Sequence, residues 1–566
     1  MHLVPKIRKL YTLNIFLLLI VIANQVVAYE PPIGIPSPPF GIDESHTMYA
    51  GQTYQAGGFT YRDAGNGPYT HYIDGSSADC TNSGNPYGTV EQPRCGMPTN
   101  DGVRRSVNIP EGSVIEIHGG LSSSYNRSGI YQITIDGTAD KPVFIRGYSS
   151  TESQYPQYVH TDFRIAGRYG IIEQLDIYDD CQFVIKPSYD LTGANRSDHI
   201  SVRNMHIHEP VGDSGDMTGS SAIGDYLVYY NNHVHNHWRD AATDAHGLYI
   251  GSPSSHAWIL ETHIYGNSGN GFQSCNACSA TPPEFIYVGK NTFHGDKELA
   301  IGMKYANHVI ISQNTIYDYH ESTTATGTGI VIGADGPTNN VWMIFNEIYN
   351  APYGIRIEES DTDVYILGNI IHDITNAALN LEKEGPNVYL INNTINNVGQ
   401  FINQTWRDNF ILHARNNIFS NYTNSVGIVL KSKTVADPSV MDNNLFYDDS
   451  GSVAIDWASD RDTYSSTSDL MSFSSGSNNL YGSANFHNMS LDNYIPNGSS
   501  PAINSGDTEA ESSAIYDTYQ TRYGIDIKVD YNGNRRPYGS GWDIGAFETG
   551  ASSPIPAPNP PKLFIK

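Results

Sequence analysis

The chain has 566 residues, enough to bury a large core, and its 32 basic residues against 59 acidic ones leave a net charge of −27. That balance argues against nucleic acid or an anionic membrane surface as a partner, since both would repel it. Gly, Asn, Ser, Asp and Tyr are abundant and only 16% of residues are charged, a composition suited to a fold with many tight corners.

In residues 1–28, Lys6, Arg8 and Lys9 precede an apolar run from Ile15 to Ile22, and small residues including Ala28 follow. This is the layout of a cleavable secretory signal, so the mature chain is expected to be exported. No later run is long and apolar enough to span a bilayer, and a soluble monomer is expected. Residues 29–69 are rich in Pro and Gly and read as an N-terminal arm. Cys80 and Cys95 flank the loop CTNSGNPYGTVEQPRC, and because export permits disulfides a bridge between them is expected. Cys275 and Cys278 form a lone CxxC without a second pair at zinc spacing, which reads as a local bridge or two small buried thiols. Cys181 is left over.

Between 197 and 460 one phrase returns: VRNMHIH at 202, VYYNNHVH at 228, WILETHIY at 258, IISQNTIY at 310, MIFNEIY at 343, ILGNIIH at 366 and LINNTIN at 390. Alignment on its Asn position (Met205, Asn232, Thr262, Asn291, Asn314, Asn346, Asn369, Asn393, Asn416, Asn443) gives intervals of 23 to 32 residues, the signature of a repeat architecture. Each repeat holds a second strand upstream of the first, as in GLYIG at 247, GFQSC at 271, AIGMK at 300, GIVIG at 329, GIRIE at 354 and ALNLE at 378. These runs alternate apolar with variable residues, which is strand periodicity. Two to three strands per repeat, no helices and an inward Asn column predict an all-β fold, a right-handed single-stranded parallel β-helix with N- and C-terminal caps.

On these repeats the chain resembles the large group of secreted β-helix proteins that includes pectate lyases and chondroitinase-like and alginate lyases. The resemblance implies that THYIDGSSADC at 70, IPEGSVIEIHGG at 109 and DKPVFIRGY at 140, within 70–196, form a cap and first turns. SPAINSGD at 500 and DYNGNRRPYGSGWDIGAFE at 530, within 461–549, resemble the closing segment of such proteins, and a Pro-rich tail follows over 550–566. Caps are required because an open end would expose unpaired strand edges.

Alternation also predicts which side chains face outward. One outward column runs Tyr249, Gln273, Gly302, Val331, Arg356, Asn380, and the next runs Gly251, Cys275, Lys304, Gly333, Glu358, Glu382. Rungs lie about 4.8 Å apart, so Lys304 and Arg356, two rungs apart, leave room for a sugar ring over Gly302, Val331 and Gly333. Loops beside these strands commonly wall a binding face. The loop 236–247 brings His237, Arg239, Asp244 and His246, and the loop 318–329 brings His320 and Glu321. His206, His233 and His263, with His208, His235, Tyr265, His294, Tyr317, Tyr349 and His372, form a stripe on the other strand. It reads as stacking along a sheet edge and not as a metal site, because metal ligands converge from few positions.

Two chemistries fit this groove. In elimination, Lys304 or a nearby His or Tyr takes the proton beside a uronate carboxylate while Arg356 neutralises that carboxylate, which is what the likeness to β-helix lyases implies for a Lys and an Arg. In hydrolysis, two of Asp335, Glu358, Glu359 and Glu382 divide the acid and base roles, a reading easier to reconcile with an acidic chain. A third reading is a non-catalytic glycan-binding solenoid, which would want aromatic platforms; Tyr249 is the only aromatic residue in the first column. The expected catalytic set is Lys304, Arg356, His246 and Glu358, with Tyr249, Gln273, His237, Arg239, Asp244, His320, Asn380 and Asp335 binding a polysaccharide. No particular cofactor is indicated, and Ca²⁺ stays open: Glu359, Asp361 and Asp363 in EESDTD offer oxygen ligands of the kind it takes; the alternative is a solvated acidic turn.

Overall fold

The structure, a computed structural model, describes residues 28–45, 54–56, 59–61, 69–98, 108–119, 131–149, 151–159, 163–178, 183–185, 197–209, 218–237, 244–275, 281–322, 325–385, 387–405, 410–430, 440–457, 460–472, 476–507 and 510–550. The secretory signal and the Pro-rich tail lie outside them, apart from Ala28 and Gly550. Strands in the coil pair in parallel with strands one turn earlier and one turn later, and three stacked sheets result. A flank sheet holds Gly224–Tyr230, Ser255–Leu260, Glu284–Gly289, Asn307–Ser312, Asn339–Ile344, Val364–Leu367 and Asn387–Ile391. A narrow sheet of three-residue strands holds His206–His208, His233–His235, His263–Tyr265, Thr292–His294 and Thr315–Tyr317. A groove sheet holds Leu248–Ile250, Phe272–Ser274, Leu299–Met303 and Thr328–Ile332. From Glu347 onward the narrow and groove strands merge into long bent strands, Glu347–Glu359, Ile370–Glu384 and Thr394–Gln404.

The corner between the flank and narrow sheets explains the repeated phrase. Its first residue is left-handed: Asn231, Glu261, Lys290, Gln313, Phe345 and Asn392 have φ between 51° and 56°. Such a conformation costs a non-Gly residue roughly 1–2 kcal/mol, so a strong local bond must hold the chain there. The next residue supplies it. Asn346 Oδ1 accepts from the Asn314 N–H of the preceding turn at 3.0 Å, and Asn346 Nδ2 donates to Ile311 O at 2.9 Å. The same pair of bonds repeats at Asn291, Asn314, Asn369 and Asn393, and every one of these side chains is buried. Thr262 interrupts the ladder, with its hydroxyl accepting from Asn232 N–H at 3.4 Å and donating to Leu260 O.

At two later rungs the ladder is carried by a different residue from the one expected. Asn417 and Asn444 fill it, followed by Asn479, whereas Asn416 and Asn443 are the left-handed residues before them, with φ 56° and 53°. Asn tolerates both roles, the left-handed corner and the buried ladder, so an Asn-Asn pair does not reveal which member faces in.

Inside the coil Ile, Val, Leu and Phe from all three sheets pack into one continuous column, from Ile73 to Trp457 and beyond. A second apolar cluster lies outside the flank sheet. Trp258, Tyr287 and Trp342 point outward there and are covered by the arm at 28–45 and by the helix Ala510–Tyr523. Trp258 Nε1 donates to Pro36 O at 2.8 Å, Ser312 Oγ donates to Ile33 O at 2.6 Å, and the Tyr519 ring meets Trp342 edge-on with centroids 4.7 Å apart. The closing segment thus returns along the side of the coil, where Ala546 N–H also donates to Thr394 Oγ1 at 3.0 Å. Cys80 and Cys95 are bridged. Cys275 is disulfide-bonded as well, while Cys278 and Cys181 lie outside the described residues. Among the described residues no helix is long and apolar enough to cross a membrane.

Candidate active site

The groove sheet stacks Tyr249, Gln273, Gly302, Val331, Arg356 and Asn380 as successive register partners. Lys304 follows the strand Leu299–Met303, with Nζ 3.9 Å from Asp335 Oδ2. Its charge reaches two neighbours, His246 and Glu298. His246 Nδ1 accepts from Asn270 N–H at 2.9 Å, which leaves the proton of a neutral imidazole on Nε2. Burial, reinforced by Lys304, pushes the His246 pKa down to about 4, so the ring is neutral at pH 7. Asn270 Nδ2 in turn donates to Gln273 Oε1 at 2.6 Å, and Gln273 is itself buried.

Glu298 is the residue the outward columns did not reveal. Burial raises its pKa to about 7, Asp244 adds to the rise through its charge and a hydrogen bond, and Lys304 and Lys297 pull it back. Two carboxylates in contact cannot both be ionised without cost, so near neutrality the pair holds a proton. Glu298 directly precedes the groove strand Leu299–Met303. Like the loops before Tyr249 and Val331, the short loop GDKE at 295–298 leads directly into a strand of the groove sheet. Gly302 shapes the floor beneath this cluster, since a Cβ there would stand 2.8 Å from Asn270 Nδ2. Gly333 has a different reason to be glycine: its φ is +78° and a Cβ would meet Glu359 O at 2.1 Å.

Arg356 is already occupied. Nε and Nη2 donate to the two oxygens of Glu382 at 3.0 and 2.9 Å, Nη2 also to Glu358 at 3.1 Å, and Nη1 to Thr326 Oγ1 at 2.9 Å. Lys383 Nζ lies 2.7 Å from the other oxygen of Glu358, and the buried Asn380 donates to Glu382 at 2.7 Å. This end of the groove is a closed ion cluster. A substrate carboxylate can reach Arg356 only by displacing one of two carboxylates that it already holds in charge-assisted bonds.

The other expected residues fall in separate places. His237 is fully buried, with Nδ1 2.8 Å from Asn267 Oδ1, in a polar chain that runs through Asn267 to Asp296 and Tyr319. It cannot touch a ligand in the groove, which corrects its expected binding role; its place after the strand His233–His235 turns it into the coil. Asp244, His320 and Asp335 are exposed and Tyr249 is half-buried, while Arg239 lies outside the described residues. Asp363 accepts from Asn387 at 2.9 Å, and the backbone N–H of Asp361 donates to Asn339 at 2.8 Å. Among the described residues the carboxylates of Glu359, Asp361 and Asp363 do not gather within 4.8 Å of one another. A cavity of about 440 Å³ beside the arm, bordered by Glu44, Arg146, Glu173 and Arg203, is not on the groove sheet. Its Arg203 is spent on Glu173 and on the carbonyls of Ile42 and Glu44.

Fold and side chains together define a right-handed parallel β-helix with a polar, charged outer face on one sheet. A family model for the right handed beta helix region matches residues 284–419. No curated protein sequence matches the chain. Among solved structures it is similar to a pectate lyase, Pel9A, at 13% identity over 84% of this chain and 96% of that one, with a TM-score of 0.40. It is also similar to the PL6 family alginate lyase AlyGC, at 15% identity over 80% and 59%, TM-score 0.45. A third likeness is to the GH136 lacto-N-biosidase from Eubacterium ramulus, at 11% identity over 61% and 68%, TM-score 0.35. Likenesses at such values carry no argument about function, and the chemistry has to be argued from this chain's own side chains.

Proposed function

We propose that the protein is a secreted polysaccharide lyase that cleaves a uronate-containing glycan by β-elimination at Lys304. The observation that carries this reading is the cluster itself, in which the charge of Lys304 acts both on Glu298, whose pKa burial raises to about 7, and on the neutral His246. Protonated Glu298 and the Nε2–H of His246 are hydrogen-bond donors of the kind that stabilise a carboxylate as it becomes an enediolate. Lys304 takes the proton on the carbon beside that carboxylate. The C–H electron pair becomes the new carbon–carbon double bond as the glycosidic C–O bond breaks, and the proton taken by Lys304 passes to the departing oxygen. In this reading Glu298 takes the neutralising role first expected of Arg356, and the Arg356 cluster walls one end of the groove.

The hydrolytic alternative is supported less well. Glu298 and Asp244 are in hydrogen-bond contact, whereas glycosidase carboxylates stand about 5–5.5 Å apart or farther; Glu358 and Glu382 are both committed to Arg356. Export is supported by the layout of residues 1–28 and by the Cys80–Cys95 bridge. Incubation with a panel of uronate polymers should produce the ultraviolet absorbance of a conjugated unsaturated uronate. New reducing ends without that absorbance would replace elimination by hydrolysis, and binding without either product would favour the non-catalytic reading.

A further inference from the structure

At the start of the histidine stripe two strands of the form His-x-His lie side by side. His206–His208 and His233–His235 pair in register, with His206 opposite His233 and His208 opposite His235. Residues two apart on a strand face the same side, so four imidazoles crowd one face of the narrow sheet. The preceding strand, Asp176–Tyr178, pairs Asp176 with His206 and brings a carboxylate to the same place. Among the described residues no other part of the stripe gathers three imidazoles in this way.

The ring nitrogens are arranged for a shared ligand. Asp176 Oδ1 lies 2.9 Å from His208 Nε2 and 3.4 Å from His206 Nδ1, so it can accept an N–H from each ring and leave the opposite nitrogen of each as a lone pair. His206 Nε2 then faces His235 Nε2 at 2.8 Å, and His235 Nδ1 is buried without a partner. One nitrogen from each of His206, His208 and His235 lies within 4.8 Å of the others. Nitrogens bound to one tetrahedral zinc at about 2.0–2.1 Å sit between those two separations, so small side-chain movements suffice. A carboxylate accepting the outer N–H of a ligating histidine is the usual way in which such a ring is fixed.

We propose that His206, His208 and His235, oriented by Asp176, form a binding site for a divalent metal ion of the zinc type. Three imidazole nitrogens suit borderline metals and not Ca²⁺ or Mg²⁺, which prefer oxygen. His206 and His208 are half-buried, which leaves a fourth position for water. The site stands on the narrow sheet, apart from the groove sheet, and does not depend on the proposed lyase chemistry. His263 and His294 make a useful contrast: their Nε2 atoms are also close, at 2.9 Å, but among the described residues no third imidazole or carboxylate completes a set there.

The test uses the tag-free, full mature chain, stripped with a chelator and titrated with Zn²⁺ by calorimetry and with Co²⁺ by visible absorption. One equivalent of metal is expected, with tetrahedral Co²⁺ bands that disappear in His206→Ala and in His235→Ala. Asp176→Asn should weaken binding by about 10- to 100-fold, and His294→Ala should leave it unchanged. Circular dichroism checks each fold, and His206→Gln and His208→Ala stand in if an alanine variant does not fold. Absence of binding by the wild-type chain overturns the proposal, as does wild-type affinity in the His206 and His235 variants or equal loss in His294→Ala.

Discussion

Lys304 and Glu298 act at the scale of single groups, and each makes a separable prediction. Lys304→Ala should lower turnover on a uronate polymer by about 10²- to 10⁴-fold, the usual contribution of a positioned base. Glu298 is expected to work in its protonated form, as a neutral hydrogen-bond donor to the substrate carboxylate. Glu298→Gln keeps a neutral donor and should retain most activity; a variant as inactive as Glu298→Ala would mean that the proton itself is transferred. Glu298 and the buried Asp296, each raised to about 7, also affect stability. Between the unfolded carboxyl range near 4 and about 7 the folded chain holds more protons than the unfolded one. Their contribution is therefore complete below about pH 4 and lost as pH rises through about 7. Asp296→Asn should flatten the decline of Tm over that interval, measured by thermal denaturation at a series of pH values.

At the scale of elements, the asparagine corner is what makes successive turns equivalent. Each ladder side chain satisfies one N–H and one C=O that would otherwise be buried unpaired, and an orphaned buried group costs roughly 1–3 kcal/mol. Asn444 serves Asn417 N–H at 3.0 Å and Ala414 O at 2.9 Å. Asn444→Ala should therefore cost about 2–4 kcal/mol in denaturant unfolding. Asn443→Gly, at the left-handed corner just before it, should be nearly neutral because glycine adopts that conformation freely. The reverse ranking would show that the ladder runs through Asn443. The Cys80–Cys95 bridge has a sequence separation of 15, a loop for which closure contributes about 3 kcal/mol. Replacing both cysteines with Ala should lower the unfolding midpoint accordingly.

At the scale of the whole molecule, the arm and the closing helix tie distant turns together across the flank. Tyr519 packs on Trp342 and also bonds Gly34 O, so one side chain joins the helix, the coil and the arm. Tyr519→Ala should cost about 3–5 kcal/mol, as loss of a buried aromatic does, and should make the arm susceptible to limited proteolysis. An arm as resistant as in the wild type would show that the apolar contacts of Ile33 and Ile35 hold it unaided.

The repeat, the strand periodicity and the outward columns were legible in the residues themselves, because a solenoid repeats one local environment and each turn contacts mainly its neighbours. The chain alone therefore determined a parallel coil, the in-register succession from Tyr249 to Asn380, and an expected bridge between Cys80 and Cys95. Other features depend on contacts that no local pattern encodes. The segment AESSAIYDTYQTRY has no clear apolar face, yet it is helical where the outward Trp342 offers a surface to cover. Which of Asn443 and Asn444 faces inward depends on the bonds of the adjoining turns. Arg356 faces outward as its register requires, but only packing across rungs gives it to Glu358 and Glu382 and leaves the Lys304, Glu298 and His246 cluster as the candidate site. Side-chain direction follows from a strand's own period, whereas partners and protonation are set by whatever the neighbouring turns bring within a few ångströms.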